Sequence, residues 1–193
     1  MEFTGYRDPT VAFAVDFVNT FGGPGGDPDQ LTDAAALKAF MERRHASYPR
    51  PITESDLEAV RALRARLREV FVADQDRAVQ VLNELLEESE SHPRLTAHGG
   101  EPWHLHFASE DQPIHVWLGA YAAMGLAMVV ASEGFDRLKV CQGDRCEDVF
   151  VDRSKNRSRR FCSAEVCGNR SSVAAYRKRQ RHRAGAAEPD GTV

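Results

Sequence analysis

Cys141-Gln142-Gly143-Asp144-Arg145-Cys146 and Cys162-Ser163-Ala164-Glu165-Val166-Cys167 are the two stretches that decide the reading of this chain. Each holds a cysteine pair with four residues between its members, fifteen residues separate the pairs, and together they contain all four cysteines of the 193 residues. The alternative, four unrelated buried thiols, has to place them in this pattern by accident. Four thiolates suit the tetrahedral, soft-ligand preference of zinc, and a filled four-thiolate site has no open position for metal chemistry. The expected cofactor is therefore one structural zinc, held by Cys141, Cys146, Cys162 and Cys167, that folds its module.

Outward from the cysteines, Leu138-Lys139-Val140 and Val149-Phe150-Val151 read as short strands and Arg153 to Ser158 as a turn. Arg160-Phe161 then leads, strand-like, into the second pair. Ser163 is placed to N-cap a helix from Ala164 to about Arg181, with Cys167 in its first turn. Gly143 inside the first pair answers the need for a permissive backbone in a tight knuckle. Knuckle, β-hairpin and helix together make a treble-clef-like zinc finger.

The charge is split along the chain. Residues 1–136 carry 11 Lys/Arg against 22 Asp/Glu, a net of -11, whereas residues 137–183 carry 14 against 5, a net of +9. In the basic segment arginine outnumbers lysine eleven to three, which favours forked contacts with phosphates and guanine edges. Arg153, Lys155, Arg157, Arg159 and Arg160 crowd the turn, and Asn169, Arg170, Arg177, Lys178 and Arg179 follow on the helix. Arg170 and Arg177 share a face, with Val173 and Ala174 able to pack inward between them. A polyanion is the expected partner, DNA first and RNA second. The rival reading docks the basic module on the acidic part of the same chain.

The front segment reads as mostly helical. Val11 to Val18 is a strand or a short buried helix, and the loop Gly22 to Pro28 has no Lys-Ser/Thr ending of a phosphate loop. A helix follows from about Thr32 to Arg44. Thr53-Glu54-Ser55-Asp56 resembles a capping box, and Leu57, Val60, Leu63, Leu67, Val70 and Phe71 recur behind it at helical spacing. Arg61, Arg64 and Arg68 are expected on the solvated side. Val79 to Leu86 marks a third helix, Arg94 to Phe107 a hairpin turning at His98 to Glu101, and Pro113 to Glu133 a buried core helix ended by Gly134. That last stretch approaches membrane-spanning length, but its glycines, alanines and His115 speak for a protein core. His104, His106 and His115 form a weak candidate metal set.

The fold class expected is thus α+β: an acidic, mostly helical domain over 1–136 with a small β-hairpin, a basic finger over 137–183, and a disordered tail over 184–193. The N-terminus has no basic, apolar leader, so cytoplasmic location without membrane association is expected.

Cys167-Gly168-Asn169-Arg170 is the signature of the CGNR zinc-finger family. The run Cys141-x4-Cys146, Phe150-Val151-Asp152-Arg153-Ser154, Arg159-Arg160-Phe161-Cys162-Ser163 resembles that family throughout. Asp16-Phe17-Val18-Asn19-Thr20 followed by three helices resembles the ABATE domain that commonly precedes this finger. The resemblance implies a bacterial stress-induced transcription regulator that binds DNA through the finger and has no catalytic activity. Asn169 and Arg170 either touch nucleic acid or brace the zinc knuckle. Asp16, Asn19 and Thr20 are candidate ligand-binding residues of the front domain, or caps of the segment that follows. Ligand sensing or assembly, homo-oligomers included, is the expected front-domain role, with an enzyme there and the finger as adaptor as the alternative.

Overall fold

The computed structural model describes residues 4–21, 28–90, 93–97 and 103–185. Its fold is α+β, with helices in front and a small zinc-finger module behind. The ambiguous apolar run near the start is helical: α1 spans Thr4–Val18 and buries Val11, Phe13, Ala14, Phe17 and Val18. Helix α2 (Ala34–Arg43) begins where the Asp33 carboxylate accepts the Ala36 amide at 2.7 Å. Helix α3 (Glu54–Val72) begins at the expected capping box, in which Thr53 N donates to Asp56 Oδ2 at 2.8 Å. Helix α4 (Gln75–Glu88) is capped by Asp74, which accepts from Arg77 N at 3.0 Å.

Helix α5 (Ile114–Glu133) is the axis of the front domain. Among the described residues it is the one helix long and apolar enough to cross a bilayer, yet α1, α3 and α4 all pack against it. Three neighbours explain why its apolar residues are not confined to one stripe. Closest approach occurs at Gly125, where a Cβ would lie 2.8 Å from Thr10 Oγ1 and 3.0 Å from the Thr10 backbone carbon. Gly134 ends the helix with φ 96°, a conformation that favours glycine. Phe13 stacks on Phe17 and meets Phe40 and the edge of Tyr121, which continues the core towards Trp117.

Strands β1 (Arg94–Thr96) and β2 (His104–His106) pair antiparallel with Leu95 opposite Leu105. Their turn lies outside the described residues, as does most of the Gly22 to Pro28 loop. The alternation there makes no buried face: Trp103 is exposed and Phe107 buried.

Arg64 corrects the expectation of a solvated arginine face on α3. It is 3% exposed, and its Nη1 donates to Asp29 Oδ1 at 2.7 Å and to Thr20 Oγ1 at 3.1 Å. Arg61 likewise donates to the Leu31 carbonyl at 2.7 Å, and Arg68 pairs with Glu147 of the finger at 3.2 Å. Arg64 lies seven residues after Leu57 and seven before Phe71, so it occupies a core position of the helix, where only a partner such as Asp29 makes its charge tolerable.

After a 3-10 turn at Phe135–Arg137, β3 (Leu138–Val140) pairs antiparallel with β4 (Val149–Val151), with Leu138 opposite Val151. Strand alternation divides their side chains. Leu138, Val149 and Val151 join the front-domain core, while Phe150 packs with Cys141 and Cys167. The first cysteine pair thus forms the tip of this hairpin. The strand expected at Arg160-Phe161 is absent among the described residues; the segment is coil whose Arg160 carbonyl accepts from Gln142 N at 2.9 Å.

The closing helix opens as a π-turn over Ala164–Gly168 and continues as α6 (Asn169–Gly185). It runs past Arg181 into the expected tail, whose remainder, 186–193, lies outside the described residues. Val173 and Ala174 do not pack inward: from Arg170 to Arg181 every residue is exposed except the half-buried Ser171.

Candidate zinc centre and nucleic-acid interface

The hairpin tip and the start of the final helix bring the four cysteines together. Their ligand atoms all lie within 4.8 Å of one another, with Cys146 Sγ 3.7 Å and Cys167 Sγ 3.6 Å from Cys162 Sγ. A tetrahedral ion with bonds of about 2.3 Å needs sulfur separations of about 3.8 Å, so the donor set fits zinc in type, number and size. Cys141 N bonds to the Asp148 carbonyl at 2.8 Å and Cys146 N to the Gly143 carbonyl at 3.1 Å, which closes the knuckle. Ser163 Oγ caps the Val166 amide at 3.1 Å and so presents Cys167 from the first helical turn.

Gly143 is required for a reason other than the one expected. It does not adopt the left-handed backbone; a Cβ there would meet Cys167 Cβ at 3.0 Å and Cys141 Sγ at 3.3 Å. The left-handed position of the knuckle is Arg145, with φ 58°.

The sulfurs need a cation. Burial, reinforced by the neighbouring thiols of Cys167 and Cys141, pushes the Cys146 thiol up to about 12. Burial and the same crowding push Cys162 up as well. Burial also opposes the Cys141 thiolate, but the amides of Cys162 and Gly143 donate to its sulfur at 3.3 and 3.4 Å and hold its thiol below the ordinary value. The four sulfurs form a closed donor set of the size zinc takes, and these four cysteines hold one structural zinc.

The arginines expected to meet nucleic acid fall into two groups. Arg157 Nη1 pairs with Asp136 at 2.9 Å. Arg159 lies over the Phe150 ring at 5.3 Å and donates to the carbonyls of Phe161 and Cys162. Arg160 donates to Gln142 Oε1 at 2.7 Å and lies over Phe161. Arg170 Nη2 reaches Cys167 Sγ at 3.5 Å, a contact that braces the knuckle from an exposed side chain. Like these four, Arg153, Lys155, Asn169, Arg177, Lys178 and Arg179 are exposed. From Arg170 to Arg181 the basic helix is exposed apart from the half-buried Ser171, and the modules meet through the apolar face of the β3–β4 hairpin.

Sequence reasoning missed the group that shapes the Arg153 to Ser158 turn. Asp152 is fully buried and accepts from Lys139 Nζ at 2.6 Å, Arg159 N at 2.8 Å and Ser154 N at 2.9 Å. Burial alone raises a carboxyl, but these donors outweigh it and hold Asp152 well below the usual carboxylate range.

The three candidate ligand residues of the front domain each make contacts within the fold. Asn19 Nδ2 donates to the Val149 carbonyl at 3.0 Å, and Val149 N donates to Asn19 Oδ1 at 2.8 Å. Thr20 is buried, donates to the Phe17 carbonyl at 2.6 Å and accepts from Arg64. Asp16 pairs with Arg44, and burial raises its carboxyl above the ordinary value against that pull. Elsewhere, a cavity of about 580 Å³ lies between α2 and residues 46–52, lined by Lys38, Met41, Tyr48, Arg50 and Ile52 among others. The cysteines are the one metal-competent cluster among the described residues; His104's side chain lies outside them.

The description of the CGNR zinc finger matches residues 137–180, so the cysteine module is a finger of that class. The ABATE model, described as "Putative stress-induced transcription regulator", matches residues 12–133, and the chain belongs to that family. A comparison with curated proteins found no match.

Proposed function

We propose that the protein is a transcription regulator that binds duplex DNA through its C-terminal finger and acts in the cytosol, where thiolates stay reduced. The observation that carries this reading is α6: an arginine-rich helix, exposed from Arg170 to Arg181 but for Ser171, and anchored at its start by a zinc ligand. Exposed arginines in that density favour phosphate contacts. Arg153 and Lys155 on the turn add to the same footprint, whereas Arg157, Arg159 and Arg160 first order the finger. The front domain senses a ligand or mediates assembly. No step of catalysis is assigned to it.

The test is a salt titration of duplex binding by the full chain, since excising residues 137–183 would expose Leu138, Val149 and Val151. Log affinity should fall linearly with log salt, by about 0.9 per phosphate contacted, and binding should vanish on chelation. Binding that survives zinc removal sinks the proposal, as does tighter binding to single-stranded or duplex RNA.

A further inference from the structure

Exposed apolar side chains on a strongly basic helix call for a partner. Val173 is 48% and Tyr176 56% exposed. At about 100° per residue, Val173, Tyr176 and Gln180 fall within about 60° of arc and form one stripe along α6. Gln180 Nε2 donates to Tyr176 Oη at 3.0 Å, which ties the stripe's two polar ends together. Arg177 and Arg181 lie along one flank of the stripe, and Arg179 along the other. A helix that only neutralised phosphates would have no use for this order of side chains.

Charge decides among the occupants. A second copy of α6 on the stripe would bring arginine flanks against arginine flanks in a symmetric pair. The front domain, though acidic, leaves the stripe exposed. Two rails of negative charge with an uncharged strip between them describe the major groove of duplex DNA, which is about 12 Å wide and admits a helix. Duplex RNA presents a major groove too narrow and deep for side chains to read.

We propose that Val173, Tyr176 and Gln180 are the base-reading stripe of α6 in the major groove, with Arg177 and Arg181 on one phosphate rail and Arg179 on the other. The proposal rests on the DNA-binding reading and names the surface that gives it sequence preference. Valine methyls match the thymine methyl, and the glutamine amide matches the N6 and N7 edge of adenine. The preferred site therefore contains A·T pairs under the stripe. The Ser163 cap and Cys167 ligation fix where the helix starts and hence how the stripe is presented.

The experiment selects sites from a random duplex library with the full-length, zinc-loaded protein, then titrates the enriched duplex against a shuffled one. Gln180→Ala and Val173→Ala should each weaken the enriched duplex by about tenfold and change the shuffled duplex by less than about twofold. The double variant Arg177→Ala/Arg181→Ala should weaken both duplexes alike and lower the salt slope by about two. Zinc content of one per chain checks that each variant is folded. Discrimination that survives Gln180→Ala and Val173→Ala overturns the stripe while leaving DNA binding intact, and equal loss on both duplexes in those variants also overturns it. No binding to any duplex at low salt overturns the DNA reading itself.

Discussion

Asn19 and Val149, 130 residues apart in sequence, exchange two hydrogen bonds, so that a side-chain amide completes the edge of strand β4 as another strand would. The front domain and the finger are joined by this pair and by the apolar face of the hairpin behind it.

Removing the amide should cost more than a surface hydrogen bond, because both backbone groups of Val149 lose their partner. Asn19→Ala is expected to lower stability by about 2 kcal/mol, and with it the midpoint of thermal unfolding by several degrees. Asn19→Asp keeps the acceptor for Val149 N but not the donor, and should fall between. A midpoint unchanged by Asn19→Ala would show that the pair does not hold the modules together.

Arg64 should be among the least replaceable residues of the front domain. Truncation to alanine leaves a void at a core position and strips Asp29 and Thr20 of their donor, for a loss of about 3 kcal/mol. Arg64→Lys should not restore it, since an ammonium cannot make the forked contact. Urea unfolding monitored by circular dichroism reads both; full rescue by lysine would be the contrary result.

Asp152 makes the finger acid-sensitive. Its carboxyl is depressed in the folded protein, so its contribution is complete above the ordinary aspartate range and is lost as pH falls through that range and below, under about pH 4. Asp152→Asn should be less stable than the parent at pH 7 and the difference should narrow in acid. Parallel measurement of zinc content separates this effect from protonation of the thiolates. A stability gap independent of pH would remove the assigned role.

Gly125 and Gly119 should differ although both lie on α5. A Cβ at Gly125 meets Thr10, backbone included, at 2.8 to 3.0 Å, whereas at Gly119 the nearest atom is a side-chain methyl of Leu63 at 3.2 Å. Gly125→Ala should therefore destabilise by about 1–3 kcal/mol, and Gly119→Ala by much less. Equal midpoints in denaturant would argue against the close packing of α1 on α5.

Much of this arrangement was legible from residue types and spacing. The two cysteine pairs, the Ser163 cap, the Thr53–Asp56 box and the Gly134 stop are local features, each decided by residues a few positions apart. What stayed hidden depends on distant partners. Asn19 and Thr20 read as pocket or capping residues because Val149 and Arg64 are far away in sequence. Arg64 was assigned to solvent by its charge, although its spacing of seven from both Leu57 and Phe71 marked it as a core position. The pairing of β3 with β4 across the knuckle was obscured because three-residue strands have too little alternation to set a register.

Helix α6 gains its order from one end. An isolated helix must first form a turn, an event with a nucleation constant of about 10⁻³, and short helices without packing are marginal in water. Here the Ser163 cap and the Cys167 ligand sit in the opening turn, so the metal supplies the nucleus that packing supplies elsewhere. Zinc occupancy then acts as a helicity control, and amide protection along α6 should decay with distance from Cys167. Losing the ion then erases an exposed helix rather than loosening a domain.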